Sequence, residues 1–289
     1  MTTAEVAAYL RLKERTVYEM AAKRQIPCTR ATGKLLFPRK LIDRWVEGLT
    51  EVPRTYDALP PPIYAGSSDP LLEWALRESA SGLAVLASGS RDGLERLARG
   101  EAVVAGIHIR DQEGGGYNVE TLRREMPFPD VVAIRWADRE QGLLVAPGNP
   151  LGVGGLEDLF DKCPRIALRP EGAGSRVLFD ALVQESGRDA ARLNIVLIEA
   201  QTEADLAAMV AEGDADCGLG IAAVAGRTAL GFVPLGIRES FDLVMRRRDY
   251  FEPPIQKLLR FCRSDGFRKR ADSYGGYECG RLGEVAFNG

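Results

Sequence analysis

Twice in this chain a short apolar run breaks into a Gly/Ser-rich turn that opens directly into a helical pattern. Ile63-Tyr64-Ala65 gives way to Gly66-Ser67-Ser68-Asp69, after which Leu71, Leu72, Trp74 and Ala75 recur at helical spacing. Much later Arg165-Ile166-Ala167-Leu168 gives way to Glu171-Gly172-Ala173-Gly174-Ser175-Arg176, followed by Val177, Leu178 and Phe179. A strand ending in such a turn leaves free backbone N–H groups at the positive end of the next helix, which is an anion site. Two such sites in one globular unit imply a small oxyanion held between two lobes.

The same alternation runs through residues 62–289. Strands are expected at Ile63–Ala65, Leu83–Ala87, Val103–Ile107, Val131–Trp136, Gly142–Val145, Arg165–Leu168, Ile195–Ile198, Cys217–Gly220, Gly231–Pro234 and Phe241–Met245. Helices are expected at Leu71–Glu78, Gly93–Arg99, Arg176–Glu185, Glu203–Glu212 and Pro254–Cys262. Alternating strands and helices imply an α/β fold of parallel sheets wrapped on both faces. Ser88-Gly89-Ser90 and Thr202-Glu203 add two further strand-to-helix turns, and ligands in such folds sit beyond the carboxyl ends of strands. Ordinary helix capping explains any one of these turns alone.

Charge separates a head from this body. Residues 1–50 carry ten Lys/Arg against five Asp/Glu, a net +5, whereas the remainder is net −8. A basic head on an acidic body points to a polyanion as partner of the head. Thr3 is expected to cap a first helix bearing Val6, Ala7 and Leu10, and a second, Glu14–Lys23, turns Val17, Met20 and Ala21 inward. Thr32-Gly33-Lys34 reads as a turn between extended pieces 28–31 and 35–38, and Leu41, Ile42, Trp45 and Val46 mark a last amphipathic helix. Pro53, Pro60, Pro61 and Pro62 make residues 51–61 a stiff, extended linker.

These elements resemble the excisionase-type, MerR-like winged helix-turn-helix domains. Thr3 to Leu10, Arg15-Thr16-Val17-Tyr18, and the Gly33 to Pro38 wing with Leu41, Ile42 and Trp45 carry the resemblance. Lys13 stands where that family has Ser or Thr before the second helix, and Glu19 where it often has a basic residue. The second helix would enter the major groove of double-stranded DNA with Arg15, Thr16 and Tyr18, and Arg30, Lys34 and Arg39 on the wing would meet flanking backbone or the minor groove.

The body resembles the periplasmic-binding-protein type II fold, specifically the molybdate-binding-like domain. Ala65 to Asp69, Gly89 to Leu94, Val104 to His108, Tyr117-Asn118-Val119, Arg169 to Arg176, Asp214 to Gly220 and Gly276-Tyr277-Glu278 carry it. The resemblance implies two lobes, 62–141 with 236–289 and 142–235, joined by crossing strands. It implies an oxyanion, molybdate or tungstate, held by two serines of the first lobe (Ser67 or Ser68, with Ser88) and backbone donors of the second (one at Ala173, Gly174 or Ser175, another at Glu203); Ser90 and Thr202, at the other strand-to-helix turns, and Arg176 are further candidate ligand residues. The tyrosine of that family falls near Gly220-Ile221, where none exists. Arg176 has an alternative use, pairing with Asp180 one helical turn on, and His108 reads as a buried structural residue or a ligand donor.

The expected function is therefore a one-component, homodimeric transcriptional regulator sensing a small oxyanion. The alternative is an accessory protein binding an intermediate of molybdopterin synthesis, its head a protein-docking module. No cofactor and no metal site are expected: one histidine and five scattered cysteines form no ligand cluster. No nucleophile elbow, P-loop or carboxylate pair is visible, so no enzyme is expected. Without a long apolar run or a secretory signal the chain is expected to be cytoplasmic, with no membrane partner.

Overall fold

The computed structural model describes residues 1–31, 33–48, 59–111 and 115–289. The chain divides into two compact units, Met1–Ala58 and Leu59–Gly289. Most of the expected linker, 51–58, and Thr32 of the expected wing lie outside the described residues; 59–61 carry no regular secondary structure.

In the first unit three helices, α1 (Thr3–Leu10), α2 (Glu14–Ala22) and α3 (Arg39–Gly48), surround Val6, Ala7, Val17, Ala21, Ile26, Phe37 and Ile42. Thr2, not Thr3, caps α1. Its hydroxyl accepts from Glu5 N–H (3.3 Å) while the Glu5 carboxylate accepts from Thr2 N–H (2.7 Å), and Thr3 is buried as the first helical residue. Arg11 takes a left-handed conformation (φ 54°) that ends α1, which is the tight break between the two helices. Lys13 precedes α2 without a side-chain cap bond. Among the described residues the expected wing reduces to one antiparallel bridge, Thr29 with Leu36. Leu41 is exposed rather than inward; Ile42 carries the packing of α3, with Trp45 and Val46 partly buried against the same core.

The second unit is built on a mixed ten-stranded sheet. In chain order its elements are β1 (Ile63–Gly66), α4 (Pro70–Glu78), β2 (Ala84–Ala87), α5 (Ser90–Ala98), β3 (Val104–Ile107), α6 (Val119–Glu125) and β4 (Val131–Val145). There follow α7 (Asp158–Asp161), β5 (Arg165–Ala167), α8 (Gly174–Glu185), β6 (Asn194–Ile195), α9 (Glu203–Glu212), β7 (Cys217–Ile221) and α10 (Ala222–Ala225). The last are β8 (Gly231–Arg246), α11 (Arg247–Tyr250), α12 (Pro253–Cys262), α13 (Asp265–Tyr274), β9 (Tyr277–Glu278) and β10 (Val285–Asn288).

The strand order is β2-β1-β3-β8-β4-β7-β5-β6, with β9 and β10 also pairing β4. β1, β2 and β3 are parallel, as are β5, β6 and β7, but β4 and β8 run antiparallel to each other and to their neighbours. This corrects the expectation of purely parallel sheets. It also corrects four expected strands to two: Val131–Trp136 and Gly142–Val145 are the ends of one strand, and so are Gly231–Pro234 and Phe241–Met245. β4 and β8 thus pass through both lobes side by side. Their register slips between Gln141 and Gly142, opposite Gly236 (φ 70°), where the chain crosses from one lobe to the other.

Each lobe packs helices on both sheet faces. Leu71, Leu72, Trp136, Phe241, Leu258 and Phe267 fill one side of the first lobe, and Leu94, Ile107, Leu122 and Val131 the other. Leu143, Phe160, Leu178 and Phe179 fill one side of the second, and Leu144, Leu206 and Val210 its reverse. Full burial of each such side chain contributes about 1.5–3 kcal/mol. This rigid double layer aims the strand-end turns of both lobes at a common gap.

Candidate functional site

The turn after β2 and the turns after β5 and before α9 enclose a cleft of about 520 Å³. Ser88, Gly89, Arg91, Asp92 and Glu95 form the first-lobe wall; Arg169 to Ala173, Gln201 and Thr202 form the second. Gly172 packs against the Arg91 side chain across the gap. Ser88, Ala173 and Thr202, expected as ligand residues from the sequence, therefore line one cavity.

Two helices begin at this cleft without a side-chain cap. Gly89 (φ 105°) precedes α5 and Ala173 precedes α8. α4 and α9 differ: Asp69 accepts from Leu72 N–H, and Thr202 and Asp205 form a reciprocal capping box. Among the described residues, the N–H groups of Ser90 to Asp92 and of Gly174 to Arg176 have no hydrogen-bond partner. The partial positive ends of two helices, one per lobe, thus meet the cavity uncompensated.

The remaining expected ligand residues sit behind or beside this wall. Ser67 and Ser90 are buried and bond each other (2.8 Å), and Ser90 Oγ also accepts from His108 N–H. Ser68 donates to Glu73 (2.6 Å) and is not part of the cleft lining. Gly66 permits the turn at Ser67: its φ is 107°, and the Gly106 backbone fills the place of a β-carbon. Ser175 Oγ is buried without a partner. Arg176 is engaged by both Asp180 carboxylate oxygens (3.0 Å each) and by the Arg169 carbonyl. Glu203 is buried, with Oε1 3.5 Å from Arg169 Nη1 and Oε2 unpartnered.

Sequence reasoning missed a buried charge network at the crossing. Arg139, on β4, donates to Asp69 Oδ2 (2.9 Å) and to Glu239 Oε1, and its guanidinium lies over the Phe241 ring. Tyr277 donates to the same Asp69 oxygen, and His108 Nδ1 meets Glu239 Oε2 at 2.8 Å. Burial would raise the Glu239 carboxyl, but the Arg139 guanidinium and the contact with the His108 ring outweigh it and hold the group down at about 2. His108 is a buried structural residue whose ring stacks on Phe241 and lies against Gly174 of the other lobe. Arg169 was also missed, although it directly follows a strand end ahead of an anion turn.

In the head, Arg15, Tyr18, Arg30, Lys34 and Arg39 are exposed and Thr16 half-buried. Arg15 Nε is 3.0 Å from Glu19, one helical turn on, in an exposed ion pair. Arg39 lies over the Tyr9 ring, whose hydroxyl donates to Asp43.

A helix-turn-helix head on a two-lobed domain with a ligand cleft defines a class: ligand-sensing, DNA-binding regulators. The comparisons agree. Residues 1–50 match the helix-turn-helix domain family, and residues 73–263 match the PBP superfamily domain. The chain belongs to the PBP superfamily. It is 26% identical to the uncharacterized protein YvgK of Bacillus subtilis (strain 168), over 98% of this chain and 96% of that one. An ABC-transporter substrate-binding protein from Clostridium perfringens with bound phosphate superposes with a TM-score of 0.54 at 15% identity, covering 77% of this chain and 98% of that one. A hydrogen-peroxide-bound OxyR variant from Corynebacterium glutamicum gives 0.50 at 15% identity, covering 94% and 90%. Likenesses at such identity establish the fold alone. Among the described residues no helix is long and apolar enough to cross a membrane, and no His/Cys/Asp/Glu group could hold a metal ion.

Proposed function

We propose that this chain is a cytoplasmic, one-component transcriptional regulator whose cleft senses a small oxyanion, molybdate or tungstate, and which catalyses no reaction. The observation that carries the reading is the pair of uncapped helix N-termini, α5 and α8, contributed by opposite lobes to one cavity. Helix N-termini whose first N–H groups are uncapped complement an anion that offers many acceptor oxygens and no donor. The narrow choice of molybdate or tungstate draws on the sequence resemblance.

Binding would bridge the lobes and bias them toward closure about the register slip in β4 and β8. A single small head binds DNA weakly, so a homodimer reading two half-sites is the natural operating form. Thermal-shift and calorimetric titration with molybdate, tungstate, sulfate and phosphate tests the ligand. The first two are expected to bind tightest, and absence of any response to all four overturns the assignment. Salt-sensitive retardation of a DNA fragment from upstream of its own coding sequence tests the regulator.

A further inference from the structure

Arg169 stands apart from every other charged group around the cleft. It lies two residues beyond the end of β5, lines the cavity, and is 8% exposed. Among the described residues its one ion-pair partner is Glu203, whose Oε1 lies 3.5 Å from Nη1, too long for a strong bond. Its Nε is buried without a partner among the described residues. A guanidinium carries five donors, and one buried with so few engaged is expensive unless something accepts from it.

The other charged side chains of the cleft are committed elsewhere or lie at its rim. Asp92 pairs with Arg96 (2.7 Å) and Glu95 with Arg99 (3.1 Å), each one helical turn along α5. Arg91 is paired with Glu125 (3.3 Å) and is half-exposed, and Glu171 is exposed. The deep wall therefore presents one under-engaged cation, flanked by the α8 N-terminus at Ala173.

We propose that Arg169 is the charged anchor of the anion site: its guanidinium donates a charge-assisted bond to an oxygen of the ligand, while N–H groups at the α5 and α8 N-termini donate to the others. This rests on the reading of the cleft as the ligand site and deepens it. A site of backbone donors alone selects by shape and proton count. A site with a buried guanidinium also selects by charge, favouring a dianion over a monoanion of the same shape. Glu203, 3.5 Å from Nη1, offsets part of the guanidinium charge.

Tungstate and perrhenate provide the test, being tetrahedral oxyanions of nearly equal size that differ by one unit of charge. Titration of the full chain by calorimetry is expected to show tungstate preferred. In the Arg169→Gln/Glu203→Gln double variant, which leaves no buried carboxylate unpaired, tungstate affinity is expected to fall about ten- to hundred-fold. Perrhenate affinity falls less, so the preference narrows. Arg169→Lys retains the charge without the fork, and is expected to weaken both anions while keeping their ratio; it stands in should the double variant fail to fold. Unchanged tungstate affinity in the folded double variant overturns the role of Arg169 and leaves the cleft assignment intact. Wild-type protein that binds neither anion overturns the cleft assignment, and this proposal with it.

Discussion

The side chain least legible in the sequence is Arg139. It falls within Asp138-Arg139-Glu140-Gln141, a polar stretch that reads as a solvent-exposed connection between two apolar runs, yet Arg139 is 1% exposed. Hydrophobicity cannot reveal a buried arginine, because its burial depends on partners far away in sequence, Asp69 and Glu239. The serines were legible as residue types but not in their use: Ser67 and Ser90 face each other, which no spacing rule foretells. Glu239 yields a pH prediction. Its carboxyl is depressed to about 2, below the ordinary value near 4.3. The fold therefore favours its ionised form, a contribution complete above the ordinary carboxylate range and lost as pH falls through about 2. Glu239→Gln should cost on the order of 3 kcal/mol at neutral pH, by leaving Arg139 short of one counter-charge. Melting temperatures of both proteins measured from pH 7 to pH 2 should converge toward the acid end; a constant gap would show that the charge is not the cause.

At the level of elements, the two helix starts read latest, those of α5 and α8, are ones without a side-chain cap. α9 begins at Glu203 as expected, behind the Thr202 cap. α5 begins at Ser90 rather than Gly93, and α8 at Gly174 rather than Arg176. Gly89 and Ala173 carry no capping oxygen, so the boundary signal was missing at the very turns that face the cleft. β4 and β8 were each split in two for the reason given for Arg139. Gly174 permits a test in which two effects have opposite sign. In a helix, Gly→Ala ordinarily stabilises by up to about 1 kcal/mol. At this position, however, a β-carbon meets the His108 ring and, at 2.7 Å, the His108 carbonyl of the facing lobe. Gly174→Ala should therefore lower stability by about 1–3 kcal/mol or force the lobes apart, and weaken anion binding in either case. A gain in melting temperature with unchanged anion affinity would mean that this interlobe contact is not maintained in solution.

For the whole molecule, the sequence showed the division into head and body through charge and motif, since a net +5 segment preceding a net −8 one is visible in composition alone. Coupling between the two units is a matter of free energy, and thermodynamics fixes its form. If anion binding to the body changes the DNA affinity of the head by some factor, DNA must change the anion affinity by the same factor. Typical coupling of 1–3 kcal/mol corresponds to roughly 5–150-fold. Two titrations check this: DNA binding with and without saturating molybdate, by fluorescence anisotropy at fixed salt, and molybdate binding with and without saturating operator DNA, by calorimetry. Equal factors different from unity, in either direction, support a sensor linked to its head, and factors of unity in both titrations would leave two independent binding modules on one chain. Arg15→Ala separates the linkage from a general loss of function. Arg15 is exposed on α2 and distant in sequence from the cleft residues, and its removal should weaken DNA binding uniformly and lower the salt slope by about one. The molybdate affinity of the free protein should stay unchanged, because the substitution touches no group that the anion meets, while the coupling factor itself is preserved.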